Sequence, residues 1–233
     1  MDAAQHPRVK VCCIGSLAEA QMAVGYGAAA LGLVSAMPSG PGVIGDELIA
    51  QIAKTVPPGV ASVLLTSRRE SAAIISQQRH TGVSTLQLCD RLEPGEYPKL
   101  REALPGIALM QVIHMTGPDP LSEAKAAAPF VDGLLLDSGN PSLPVKELGG
   151  TGRVHDWSLS RRIRAALELP VFLAGGLTSD NVSEAIATVG PYAVDVCSGV
   201  RTEGHLDERK LARFFANVDR RFGAPSQGSG TEG

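Results

Sequence analysis

Six side chains capable of proton transfer or thiol chemistry stand at the carboxyl ends of short apolar runs: Cys12, Cys13, Cys89, His114, Asp137 and Cys197. Asp137 directly follows Gly133-Leu134-Leu135-Leu136. A carboxyl at the end of a buried strand is costly unless it faces a cavity or a partner. The position therefore suits an acid in a site, or else an aspartate that braces a loop or caps a helix. Cysteine is a common small core residue, and three of the four here are expected to be that. A zinc centre from Cys12, Cys197 and a histidine is conceivable, but no CxxC or HxxxH spacing supports it, and no metal is expected. His114 and His155 read as loop hydrogen-bonders.

A second kind of chemistry is written in glycine. Gly149-Gly150-Thr151-Gly152, Gly175-Gly176 and Ser198-Gly199 each follow or adjoin an apolar run. Amides at a glycine turn or a helix start hold an anion without lysine or arginine. Three tight turns that bind nothing would look the same one at a time. Three together favour a phosphate on Gly150, Thr151, Gly152, Gly175, Gly176, Ser198 and Gly199.

The elements that must position these residues alternate. Strands are expected at Val9–Ile14, Ala29–Ser35, Val60–Thr66, Val83–Cys89, Ile107–Ile113, Val131–Leu136, Val171–Ala174 and Tyr192–Cys197. Ser16-Leu17-Ala18-Glu19 is a capping box that opens a helix ending at Gly25 or Gly27. Asp46 opens another, and one carrying Arg68 and Arg69 follows the third strand. Thr178 or Ser179 is expected to cap a helix through Val182, Ala185, Ile186 and Val189 that closes at Gly190. The last helix is amphipathic and spans Asp207 to Phe222.

Eight strands with crossovers in 233 residues indicate a single-domain (β/α)8 TIM barrel, an α/β fold. A doubly wound open sheet is the runner-up, but the GxGxxG fingerprint it would need is absent. Residues 1–7 read as a flexible arm, 8–222 as the barrel and 223–233 as a disordered tail. The chain is 44% hydrophobic but only 4% aromatic, so its core must be built of Ala, Val, Leu and Ile. A formal net charge of -3 gives no reason to expect nucleic acid or a membrane surface as a partner. The N-terminus has no signal-like apolar segment, and a cytoplasmic protein with reduced thiols is expected. Monomer and homodimer stay open. In a strand, neighbouring side chains point opposite ways, so only one of Cys12 and Cys13 is expected to line a site.

Val9-Lys10-Val11-Cys12-Cys13-Ile14-Gly15-Ser16, LLLDS, GGTGRVHDW, LAGGLTSDNV and VDVCSGV occur in the order and spacing of the phosphoribosylanthranilate isomerase family of tryptophan biosynthesis, which the chain resembles over roughly residues 8–216. The C-terminal third carries the more specific match. The resemblance implies a TIM barrel that performs a cofactor-free Amadori rearrangement of N-(5-phosphoribosyl)anthranilate, a small phosphorylated substrate. It implies Cys12 as the general base and Asp137 as the general acid. A cysteine base needs a lowered pKa and a carboxylic acid a raised one. Asp195 and Gln87 match positions that contact substrate.

Four departures stand beside the resemblance. The loop after strand two, Pro38-Ser39-Gly40-Pro41-Gly42, lacks the family's arginine for the anthranilate carboxylate. Arg68, Arg69 and Arg91 are candidate replacements. Gln87-Leu88-Cys89-Asp90 replaces Gln-Leu-His-Gly. Cys13 stands for a glycine, and Arg201 for a glutamate. A related isomerase of another phosphorylated aminosugar, or a phosphate-binding barrel without activity, are the alternatives these departures leave.

Overall fold

The computed structural model describes residues 6–219. Eight parallel strands close into one barrel in sequence order: β1 (Arg8–Val11), β2 (Ala30–Val34), β3 (Ala61–Thr66), β4 (Thr85–Leu88), β5 (Ala108–His114), β6 (Gly133–Asp137), β7 (Val171–Leu173) and β8 (Ala193–Val196). Closure is made by β1 on β8, with Lys10 opposite Asp195. The crossovers are α1 (Leu17–Gly25), α2 (Asp46–Thr55), α3 (Ser71–Thr81), α4 (Glu96–Ala103), α5 (Pro120–Ala127), α6 (Trp157–Ala166) and α7 (Val182–Val189), with α8 (Glu208–Asp219) last. The TIM-barrel expectation holds.

Two apolar layers follow from the strand period of two. One lies between strands and helices and takes Leu31, Leu33, Leu64, Leu86 and Leu134. There α8 seats Leu211, Phe214, Phe215 and Val218, each burial stabilising by about 1.5–3 kcal/mol. The other fills the barrel with small groups, among them Ala30, Val63, Leu65, Met110, Val112 and Leu135. A chain this poor in aromatics suits so narrow an interior.

Local signals decide where helices begin. Ser16 Oγ accepts from Glu19 N (3.1 Å), as the capping box requires, while the Glu19 carboxylate returns to Gly15 N (2.9 Å). Three expectations are corrected. Arg68 and Arg69 lie in the loop before α3, because that helix starts only at Ser71. Neither Thr178 nor Ser179 caps α7. Its N-cap is Asn181, whose side chain accepts from Thr178 N (2.8 Å) and donates to Gly176 O (2.9 Å), so the polar run forms its own turn before the helix begins. The strand ending in Cys12-Cys13-Ile14 stops at Val11. Between β8 and α8 runs an unexpected two-stranded hairpin, β9 (Arg201–Thr202) with β10 (His205–Leu206). His6 pairs with Asp219 across 2.7 Å and Pro7 is buried. Residues 1–5 of the expected arm, the expected tail 223–233 and the end of the last expected helix, 220–222, lie outside the described residues.

Candidate active site

At the carboxyl ends of the strands is a pocket of about 690 Å³, including its open mouth. It gathers nearly all the residues singled out from sequence. Cys12, Gln87, Asp137, Asp195, Gly150, Thr151, Gly152, Gly175, Gly176 and Ser198 line it. Gly199 does not. It is pressed on the Leu177 carbonyl and bridged to Thr178, beneath the rim. His114 stays out of the lining and places Nε2 2.9 Å from Cys89 O, while His155 Nε2 meets Ser160 Oγ at 2.8 Å. His114 thus braces the loop after β4, and His155, itself in a loop, braces the first turns of α6.

Cys12 and Cys13 both line the pocket, contrary to the expectation that only one could. The alternation rule fails because β1 has already ended and Cys13 adopts φ 63°, the left-handed region that favours glycine. Cys13 Sγ lies 2.6 Å from Cys197 Sγ, and both are free thiols. The expectation of three core cysteines is met: Cys12, Cys13 and Cys89 are buried, and Cys197 is partly exposed. All four cysteines nevertheless border the pocket, Cys89 fully buried in its wall. Among the described residues no His, Cys, Asp and Glu group is arranged to hold a metal.

The environments of Cys12 and Asp137 push their protons in opposite directions. The hydrogen bond from the neighbouring Cys13 thiol lowers the Cys12 pKa. Burial opposes this, and the Lys10 ammonium supports it. Lys10, on β1, stands two residues before Cys12. It points into the barrel, fully buried, with Nζ 2.9 Å from Asp195 Oδ1. Burial would strip its proton, but Asp195 beside it holds the charge. A lysine two positions before a strand-end cysteine shares its face, so the period of two was a signal for this pairing. Gly32 makes room for both. A Cβ there would stand 2.7 Å from Cys12 Sγ and 3.1 Å from Lys10 Nζ. At Asp137, burial raises the pKa, only partly offset by the 2.8 Å bond from Ser138 N to Oδ1. Gly149 packs on the other oxygen, where a Cβ would come within 2.7 Å of Oδ2.

The glycine turns enclose one flank. Gly175 and Gly176 have φ 84° and 64°, and the stretch Arg153–His155 crosses directly over them. A side chain at Gly176 would strike Arg153 and Val154 backbone atoms under 3.0 Å away, so these glycines serve close packing as well as an open turn. Ser138 Oγ meets Thr151 Oγ1 at 3.2 Å and donates to Arg153 O, tying the loop after β6 to the end of β6.

The opposite flank is apolar, with Val34, Met37, Leu65, Leu135 and Leu148. Ser39 Oγ donates to Lys146 O (2.7 Å), so the loop after β2 meets the loop after β6 across the mouth. Lys146 Nζ reaches Asp90 at 2.5 Å, joining the loop after β4 to the same rim. Among the described residues no lysine or arginine lines the pocket, and the candidate replacements Arg68, Arg69 and Arg91 are not there. Arg69 instead donates from Nε to Arg91 O (3.1 Å). Gln87 Oε1 is buried without a hydrogen-bond partner at the pocket wall.

Comparison with known proteins agrees with this geometry. The family model for N-(5'-phosphoribosyl)anthranilate (PRA) isomerase matches residues 9–217. The N-(5'-phosphoribosyl)anthranilate isomerase 2 of Methanosarcina mazei is 37% identical over 217 residues, covering 92% of this chain and 95% of the relative. That of Haloferax volcanii is 35% identical over 209 residues, covering 89% and 90%. The crystal structure of phosphoribosyl anthranilate isomerase from Thermotoga maritima superposes with a TM-score of 0.79 at 29% identity, covering 92% of this chain and 99% of that one. A phosphoribosyl anthranilate isomerase in complex with reduced 1-(o-carboxyphenylamino)-1-deoxyribulose 5-phosphate gives 0.76 at 27% identity, with coverage of 92% and 99%. With its family model matched almost end to end, the chain belongs to the phosphoribosylanthranilate isomerase family.

Proposed function

We propose that this chain isomerises N-(5-phosphoribosyl)anthranilate to the 1-deoxyribulose 5-phosphate product in tryptophan biosynthesis. The observation that carries the reading is the pairing, in one pocket, of a thiol whose proton is loosened with a buried carboxyl whose proton is held. Asp137 gives its proton to the furanose ring oxygen as the C1–O bond opens, leaving a Schiff base. The Cys12 thiolate then takes the proton from C2, and the resulting enolamine tautomerises to the ketone. No electron acceptor is needed, because C1 is reduced as C2 is oxidised. Asp195 and Gln87 face the sugar, and the unpartnered Gln87 Oε1 is an acceptor for a substrate hydroxyl or amine.

The phosphate lies on the turn formed by Gly150, Thr151, Gly152, Gly175, Gly176 and Ser198, with Gly199 bracing it from below. The aromatic ring lies on Met37, Leu65 and Leu148. Among the described residues no helix is long and apolar enough to cross a membrane. We place the enzyme in the cytoplasm, as a monomer or homodimer without a cofactor. The test is direct. Purified protein mixed with freshly generated substrate should abolish the substrate's fluorescence and yield a product of unchanged mass. Intact substrate after incubation with folded protein would refute the reading.

A further inference from the structure

Two of the departures from the family meet in space. Arg201, in β9, reaches behind the end of β1. Its Nη2 donates to Cys12 O (3.2 Å) and Cys13 O (2.5 Å), the carbonyls on either side of the Cys13 Cα. Its Nη1 and Nη2 each lie 3.1 Å from a Glu19 oxygen, and Nη1 also donates to Gly204 O (2.9 Å). Glu19 further accepts from Gly15 N and Leu206 N, both at 2.9 Å. The side chains are only 8% and 13% exposed. Burial resists ionisation of Glu19, yet Arg201 and the two amides hold its carboxyl below the ordinary value.

Each half of this arrangement explains the other. Glycine enters the left-handed region freely, whereas cysteine at φ 63° must be held there. The two peptide groups that flank Cys13 define its backbone rotation, and the guanidinium grips both carbonyls. A planar fork with five donors can do this while also meeting a carboxylate; an ammonium on a flexible stem cannot match it. We infer that Arg201 is a positioning residue: it clamps the strained turn at Cys13, and so holds the Cys12 thiol at the substrate. The inference rests on the reading of Cys12 as the base and adds the device that lets a cysteine occupy a glycine position beside it.

The test is a cycle of Arg201→Met and Cys13→Gly, read by kcat, KM and the rate at which iodoacetamide alkylates Cys12 across pH. The groups facing Cys12 are Lys10 and Cys13 from its own chain segment, Asp195 from β8 and Cys89 just after β4. Arg201→Met is expected to lower kcat at least 10-fold with KM little changed, and to shift the alkylation profile. Arg201→Lys should recover part of the loss. Cys13→Gly also removes the thiol beside Cys12, so it serves as its own reference, and in that background Arg201→Met should cost several-fold less than it does in the wild type. If Arg201→Met does not fold, the cycle is run in Glu19→Gln, which removes the stranded carboxylate. Unchanged kcat and alkylation in Arg201→Met, or an equal loss with and without Cys13→Gly, would overturn the inference. Full activity in Cys12→Ala would instead overturn the base assignment, so the two failures are distinct.

Discussion

Replacing Lys10 by methionine probes the electrostatics of the site most sharply. A Cβ on Gly32 would lie 2.7 Å from Cys12 Sγ and 3.1 Å from Lys10 Nζ, so sulfur and nitrogen are no more than about 6 Å apart. At an effective dielectric of about 20, unit charges at that separation interact by roughly 3 kcal/mol, or about two pKa units. Asp195, 2.9 Å from Lys10, offsets part of this. The expected rise of the Cys12 pKa in Lys10→Met is therefore about one to two units. In kcat/KM at pH 7 this appears as a loss of about 10- to 100-fold that shrinks steadily as pH rises and the thiol ionises. Stability should move separately. Deleting one partner of a buried pair costs about 3–5 kcal/mol. The stranded Asp195 then titrates with a raised pKa, so the deficit is fully present above that pKa and shrinks as pH falls through it. Lys10→Met/Asp195→Asn should regain most of the stability. The assay is a pH series of kcat/KM with urea unfolding alongside. A pH-independent loss, or no loss, would refute the role given to Lys10.

Three further outcomes follow from the geometry. Gly32→Ala would press a methyl group on Cys12 Sγ and Cα, and should cost about 1–3 kcal/mol in urea unfolding together with a drop in kcat. Burial pushes the His155 pKa down to about 4. Its neutral form is favoured in the fold, so its contribution is intact above the unfolded pKa of about 6.5 and is lost as pH falls toward 4, by roughly 2 kcal/mol at pH 5. His155→Gln should unfold with a correspondingly weaker acid dependence between pH 7 and pH 5. Because no cation lines the pocket among the described residues, a substrate analogue built on aniline should show a KM within about threefold of the anthranilate compound, where loss of a charge-assisted bond would cost at least tenfold.

The barrel was legible because its signals are local: apolar runs of strand length, Gly/Pro turns and the Ser16–Glu19 capping box. The pocket was legible for the same reason, since strand ends converge in this fold and most of the marked residues stand there. What sequence did not disclose comes from closure. Lys10–Asp195, Cys13–Cys197 and Arg201–Glu19 are pairs more than 180 residues apart, brought together only when β1 meets β8. Arg201 stood out in the sequence only as a replaced glutamate, and its side chain turns back to the carbonyls of the turn after β1. Cys13 misled because the strand alternation was carried past Val11, where a left-handed residue breaks it.

The central claim is that Cys12 and Asp137 move the protons, and side-by-side turnover of phosphoribosylanthranilate by wild type, Cys12→Ala and Asp137→Ala tests it most directly. General acid–base catalysis by one group is worth about 10²–10⁴-fold, so each variant should lose at least 100-fold in kcat while staying folded. A Cys12→Ala or Asp137→Ala enzyme that turns over at the wild-type rate would contradict the account.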